Sequence, residues 1–327
     1  MNSLNRMLAA GGLVAGLVLG LAAPAAAQDY PTRSITMIVP FAAGGPTDVI
    51  ARIVGGHMAQ TLGQAIIIEN VVGAGGTTAS TRAAKAANDG YTLIMGHMGT
   101  HAASVALYPK LAYNPEVDFE PVGLAAGTPI LILARKDLEP KTLKDLVVYL
   151  KANESKVNQA HAGIGAVSHV TCELFNAQLG IKPVGVPFNG TGPAMNALVA
   201  GQVDYMCDQI VNAAPQIKGG TIKAYAVATA ERNPSLTDLP TTAEAGLPDY
   251  KVSAWNAIFA PKGTPAPVLA KLNAALVKAL DDDNVRKRLL ELGSDIPDAK
   301  GRTPEALKTL VSTEVARWKG VLKAASN

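Results

Sequence analysis

Residues 38–53 read IVPFAAGGPTDVIARI, and their order decides the architecture. An apolar run with Pro40 leads into Gly44-Gly45, and a helical pattern begins at once with Pro46. The chain is building a strand, a tight loop and a helix whose N-terminus opens onto that loop. Such an N-terminus presents unpaired N–H groups and a partial positive charge, which suits an anion. The loop itself holds no Lys, Arg or His. Capping rules alone also account for it, with Gly45 as N-cap, Pro46 in the first turn and Asp48 as the N3 acid.

Outward from this stretch the same grammar repeats. ITMIV, AIIIEN and YTLIMG read as short buried strands, with helices expected over 46–62, closed by Gly63, and over TTASTRAAKAAN. Apolar β-branched runs alternating with Gly-opened helices argue for α/β units around a parallel sheet. YPKLAYNPEVDFEPV is turn-rich, and TPILILARKD then reads as a long apolar strand. Thr142, with Asp145 after it, opens a helix. VNQAHAG, a helix over 168–179, KPVGVPF, a helix over about 191–200, QVDYMCD and IKAYAVAT make a second α/β set. YKVSAWNAIFAPKGTP is a further strand-like run, and helices are expected over 265–280, 284–292 and 303–325.

The order predicts two lobes, one of residues 28–125 plus 251–327 and one of 126–250. The chain would cross between them at VGLAAGTPILIL and SAWNAIFAPKG. Two such lobes leave a cleft where the carboxyl ends of strands face each other, the usual ligand site of such sheets. An internal echo fits this arrangement. VPFAAGGP at 39–46 and VPFNGTGP at 186–193 share V-P-F-x-x-x-G-P, each ending a strand and opening a helix.

The N-terminus has the layout of a secretory signal peptide, residues 1–27: MNSLNR, an apolar run, and a small-residue exit APAAA before Gln28. A retained membrane anchor is the competing reading, since the apolar run approaches spanning length. Its Gly content and the exit favour cleavage. The exported chain would hold about 300 residues, and losing Arg6 takes its formal net charge from +3 to +2. Near-neutral charge, no basic block and 5% aromatics argue against a nucleic-acid partner. Cys172 and Cys207 both sit among apolar neighbours, so two buried thiols and a disulfide are both open, buried thiols being the plainer reading.

Five junctions share one character: FAAGGPTD, GAGGTTAS, GHMGTHAAS, AGIGAVSH and FNGTGPAM. Gly lets the backbone approach a ligand, and Thr and Ser hydroxyls donate. Each bond to a charged acceptor contributes roughly 1.5–3 kcal/mol, so several together reach the ~8 kcal/mol of micromolar binding. Each loop alone is an ordinary helix start; five in one chain point to a site. Enzyme readings fare poorly. There is no G-x-x-x-x-G-K-[ST] loop, no complete dinucleotide fingerprint and no G-x-S-x-G elbow. Ser168 and His169 are adjacent on a helix, pointing about 100° apart, and cannot act as nucleophile and base. His57, His97, His101, His161 and His169 show no metal-ligand spacing with acids. His97 and His101 are four apart, but Gly99 makes a helix there doubtful, and a lone loop His reads as a surface or rim residue.

VPFAAGGPTD, IIIENVVGAGGTTAS, DGYTLIMG, VPFNGTGPAMNALVAGQVD, LPTTAEAGLPDY and APKGTPAPVLAKLNAAL resemble the extracytoplasmic receptors of tripartite tricarboxylate transporters, the Bug receptors. The resemblance runs in order along the chain after the leader. It implies an α/β, two-lobed type II periplasmic-binding-protein fold with a double-crossover hinge and a central ligand cleft. It also implies no catalysis, no cofactor and no metal. The partners implied are a small organic acid, foremost a C4–C6 aliphatic dicarboxylate, and transporter subunits in the membrane, with the receptor a periplasmic monomer. An aromatic carboxylate, an acidic amino acid, or service as a periplasmic ligand sensor for a signalling partner are the alternatives; an exported enzyme on a similar scaffold is a further one.

Carried over by position, the resemblance places Phe41, Ala42, Gly44, Gly45, Thr47 and Asp48 at the cleft. It adds Gly75, Gly76 and Thr77 from the second loop, and Met98, Gly99 and Thr100 from the third. Gly163, Ser168 and His169, then Asn189, Gly190 and Thr191, complete the lining, with Asp208 facing the same region as a ligand contact, an amine partner or a cap. In such receptors backbone amides, hydroxyls and bridging waters hold the carboxylate, so the first loop needs no cation. Val71-Val72 stands where relatives often have Arg-Pro, and Ala79 where many have Gly, which bears on the shape of the second loop.

Overall fold

Strand β1 (Ile35–Val39) lies between β2 (Ile66–Asn70) and β3 (Thr92–His97), parallel to both. Helix α1 (Pro46–Leu62) follows β1 and ends on Gly63 in the left-handed region. The computed structural model describes residues 29–325; the signal peptide expected over 1–27 lies outside them. Residues 31–325 form one compact unit. Among the described residues no helix is long and apolar enough to cross a membrane.

Helix α2 (Thr77–Ala84) leads to β3. Beyond it a π-helical turn, Gly99–Ala103, runs into the short α3 (Ser104–Leu107). Helical structure at Gly99 corrects the sequence reading, which doubted it. Tertiary contacts hold the turn: the Tyr113 hydroxyl donates to the Thr100 carbonyl at 2.6 Å, and His101 stacks on Phe259 at 4.1 Å.

Strand β4 (Phe119–Arg135) is longer than the sequence suggested and joins the two halves of a nine-stranded sheet. Its first part, to Pro129, pairs antiparallel with β9 (Ser253–Pro261), which in turn pairs with β3. From Ile130 it pairs instead with β7 (Tyr205–Gln209), and from Leu131 with β8 (Ile222–Val227). The exchange of partners falls at Pro129, which has no N–H to give a ladder. Ser253, the first residue of β9, pairs with Pro129 of β4, so the return passage lies beside the outward one, and Val252 just before it donates its N–H to the Ala228 carbonyl. A third segment lies there too: Gly127 and Asp295 exchange both backbone bonds at 2.8 Å.

The second half adds α4 (Leu143–Ala152), opened by a Thr142/Asp145 capping box, then β5 (Asn158–His161) and α5 (Val167–Leu179). β6 (Val184–Pro187), α6 (Thr191–Val199) and α7 (Ile210–Lys218) complete it. β5 is parallel to β6 and β7. α8 (Ala266–Asp281), α9 (Asp283–Glu291) and α10 (Pro304–Ala325) close the chain. One buried cluster runs from Ile38 and Ile94 through Ile130, Ile132 and Ala134 to Phe175, Tyr205 and Trp318. Cys172 of α5 and Cys207 of β7 are joined as a disulfide, their Cα atoms 5.2 Å apart. That corrects the plainer reading of two free thiols; the helix packs directly on the strand, a proximity no sequence spacing displays.

Candidate functional site

Four helices begin at one narrow cavity of about 10 Å³. Its wall takes Gly45, Pro46, Thr47 and Asp48 from the start of α1, and Ala166, Val167 and Ser168 from the start of α5. Thr191 opens α6 and Gln209 is the N-cap of α7, and both line it as well. None of the four helices carries a side-chain cap bond. Their first-turn N–H groups therefore keep the partial positive charge that a helix start offers an anion. Phe41, Ala42, His97 and Ala162 complete the wall.

No Lys or Arg lines this cavity. Its one histidine, His97, is 1% exposed, and burial pushes its imidazole down to about 4, so it is neutral near pH 7. Its Nδ1 accepts the Thr100 N–H at 3.1 Å. Asp48 is spoken for. Its carboxylate accepts from Gly44 N–H (3.0 Å), from Arg52 through two nitrogens (3.0 and 2.9 Å) and from Asn70 (2.9 Å). Burial would raise this carboxyl, but those bonds outweigh it and hold it below its ordinary range. Arg52 thus neutralises the first-turn acid from behind, which spares the cavity a repelling charge.

The loops of the two sheet halves touch over this cavity. Ala42 N–H donates to the Asn189 carbonyl at 2.9 Å, so the two V-P-F-x-x-x-G-P segments face each other. Their helix registers differ: α1 starts on the Pro of the motif, whereas α6 starts two residues before its own. Gly75 has φ +61, and a Cβ there would lie 1.7 Å from the Ile164 carbonyl oxygen. Only glycine permits that approach. Tyr108 donates to both the Ala74 and Ile164 carbonyls, at 3.0 and 2.8 Å. Phe41 stacks on His97 with centroids 5.0 Å apart and packs with Ala162 and Ala166 in a small apolar cluster of its own.

Residues 50–326 match the family described as the tripartite tricarboxylate transporter family receptor, TctC. The chain belongs to that family. Among solved structures, the receptor is similar to MatC (Rpa3494) from Rhodopseudomonas palustris, solved with bound malate. That pair is 55% identical, covering 89% of this chain and 99% of MatC at a TM-score of 0.88. The periplasmic binding protein BugD is 42% identical over 91% of this chain and 99% of its own, also at 0.88. R. palustris Rpa4515, solved with adipate, is 34% identical over 91% and 98% at 0.86. The receptor accordingly has the two-lobed α/β fold of periplasmic binding proteins, and its family binds solutes rather than catalysing reactions.

Of the residues singled out in the sequence, Phe41, Ala42, Gly45, Thr47, Asp48, Ser168 and Thr191 converge on the cavity. Gly75, Gly76, Gly163 and Asn189 line a second recess of about 470 Å³, and Phe41 and Ala162 border both. Gly44 is exposed, and Gly190 is buried against Ala42. Thr77 spends its hydroxyl on the Ala74 carbonyl at 2.9 Å. Met98, Gly99 and Thr100 are buried and line neither space; the Thr100 hydroxyl is engaged with His97 and His101. His169 stands edge-on to His161 at 4.9 Å, its imidazole pushed down by burial to about 4. Asp208 lies behind the cavity, fully buried, accepting from Gln209 N–H and Asn212.

Sequence reasoning missed Gln209 and misread His97. Both His97 and His101 are buried rather than rim residues, because the π-helical turn folds back over the end of β3. Gln209 sits one position beyond the quoted QVDYMCD run, ahead of a helix, α7, that the sequence reading did not identify. Pro215 inside that helix hid its pattern.

Proposed function

We propose that the receptor captures an aliphatic dicarboxylate of four to six carbons in the periplasm and delivers it to a membrane transporter of the tripartite tricarboxylate type. The observation that carries this reading is the cavity on which four uncapped helix starts converge without a cation. Helix starts drawn from both sheet halves suit a ligand with a carboxylate at each end. The malate of MatC and the adipate of Rpa4515 span the proposed lengths. Residues 28–125 with 251–327, and 126–250, would move as two lobes about the strands that cross at Pro129 and Val252, admitting the acid when they part. Export would follow removal of residues 1–27, leaving Gln28 first.

A thermal-shift screen of ligand-stripped protein tests the reading, with succinate, malate, adipate, citrate, benzoate and glutamate as probes. A C4–C6 dicarboxylate should give the largest shift; a ligand at 100 times its Kd adds about 2.7 kcal/mol. A shift with benzoate or glutamate alone would overturn it.

A further inference from the structure

Gln209 is 3% exposed and forms part of the cavity wall. Its Oε1 accepts twice, from the Thr128 hydroxyl at 2.7 Å and from Asn256 Nδ2 at 3.0 Å. Asn256 is oriented in turn, because its Oδ1 accepts the Thr47 hydroxyl at 3.1 Å. An amide carries its acceptor and its donors on opposite sides. Turning Gln209 over would require Asn256 to turn as well. Thr128 would then keep only a long 3.4 Å contact to the turned Asn256, and the Thr47 proton, in a residue 3% exposed, would lose the acceptor it now has. The network therefore fixes one arrangement, in which both N–H groups of Gln209 Nε2 remain without a protein acceptor among the described residues.

We propose that Gln209 is a ligand-binding residue whose amide NH₂, aimed by Thr128 and Asn256, donates to a carboxylate oxygen of the bound acid. It supplies a donor without a charge, in keeping with a wall that contains no cation. Thr128 lies on β4, Asn256 on β9 and Thr47 on α1, so the residues that aim Gln209 belong to the crossing strands and to the opposite half of the sheet. The donor is thus correctly presented only when these elements are together. The proposal rests on the carboxylate reading above, but not on which acid is bound.

Calorimetric titration of ligand-stripped wild type with malate, adipate, benzoate and glutamate identifies the tightest of the four, which then serves as probe. Gln209→Met keeps length and removes the donors, and should bind at least tenfold more weakly. Gln209→Glu is the closer isostere, yet it turns an anion toward an anion and should bind more weakly still. A role in packing alone predicts the reverse order. Thr128→Val, out of the cavity, should weaken binding severalfold by releasing the amide. Melting temperatures of the ligand-free variants establish that each is folded. Gln209→Met binding within twofold of wild type, or Gln209→Glu binding more tightly than Gln209→Met, would overturn the proposal. If benzoate or glutamate alone binds wild type, the dicarboxylate reading falls while Gln209 is still tested with that acid. Absence of binding to all four would remove both.

Discussion

Asp208 is a carboxyl buried directly behind a cavity for anions. Burial pushes it up from 3.8 to about 7, against the hydrogen bonds from Asn212, Gln209 N–H and Thr191 that favour its charge. The sign of the linkage follows. An unfolded Asp208 loses its proton near 3.8, the folded one near 7, so across that window the folded state holds more protons. Its contribution to stability is greatest at the acid end and declines as pH rises through the window. Urea unfolding of ligand-free protein should show this decline, and Asp208→Asn should remove that component of the slope. The variant changes absolute stability as well, because an amide NH₂ would face the Asn212 amide that now donates to Asp208 and to the Thr191 carbonyl. The comparison is therefore of slopes. A wild-type slope unaltered in Asp208→Asn would refute the assignment. The sequence placed an acid here but not its burial, which comes from α7 closing over the end of β7.

Among the elements, what could be read locally was read well. The α1 start needs only Gly45, Pro46 and Asp48, and the α4 start only Thr142 and Asp145, so both were legible. The π-helical turn at Gly99–Ala103 was not, since Tyr113 and Phe259 stabilise it from far along the chain. The disulfide was illegible for the same reason. Linking positions 35 apart, it should contribute about 3–4 kcal/mol in the chain-entropy account. A Cys172→Ala/Cys207→Ala protein should lose that much in urea unfolding while binding its acid with unchanged stoichiometry; equal stability would contradict the estimate. Site residues divided along the same line. The sequence presents the loop glycines as ligand approaches, yet Gly75 meets the Ile164 backbone, loop against loop. Gly75→Ala places a Cβ where that carbonyl stands and strains a φ of +61. We expect affinity to fall at least tenfold with the ligand-free fold retained by circular dichroism, because the closed contact is what the methyl blocks. Wild-type affinity in that variant would show that the contact does not serve binding.

For the whole molecule the question is how an anion is held by a chain of nearly neutral charge. Full charges near the cavity are cancelled locally: Asp48 by Arg52, His97 and Asp208 by burial that favours their neutral forms. What remains is a set of short-range donors, the starts of α1, α5, α6 and α7, enclosed where Ala42 meets Asn189 and Tyr108 meets Ile164. Long-range attraction between exposed charges is screened over about 8–10 Å at 0.10–0.15 M salt. Contacts inside a closed cavity are screened far less. Affinity for the cognate acid should therefore change by less than about threefold between roughly 50 and 500 mM salt. An exposed basic site would instead lose affinity steeply over that range. Entry demands that the enclosing contacts open, so small-angle scattering should report a smaller radius of gyration once the acid is bound. Phosphate and sulfate should compete poorly, since the spacing of two carboxylates sets the fit rather than charge density. Calorimetry across the salt series decides the matter: a steep loss of affinity would mean that a cation reaches the ligand, and the account of an anion held by helix starts and uncharged donors would fail.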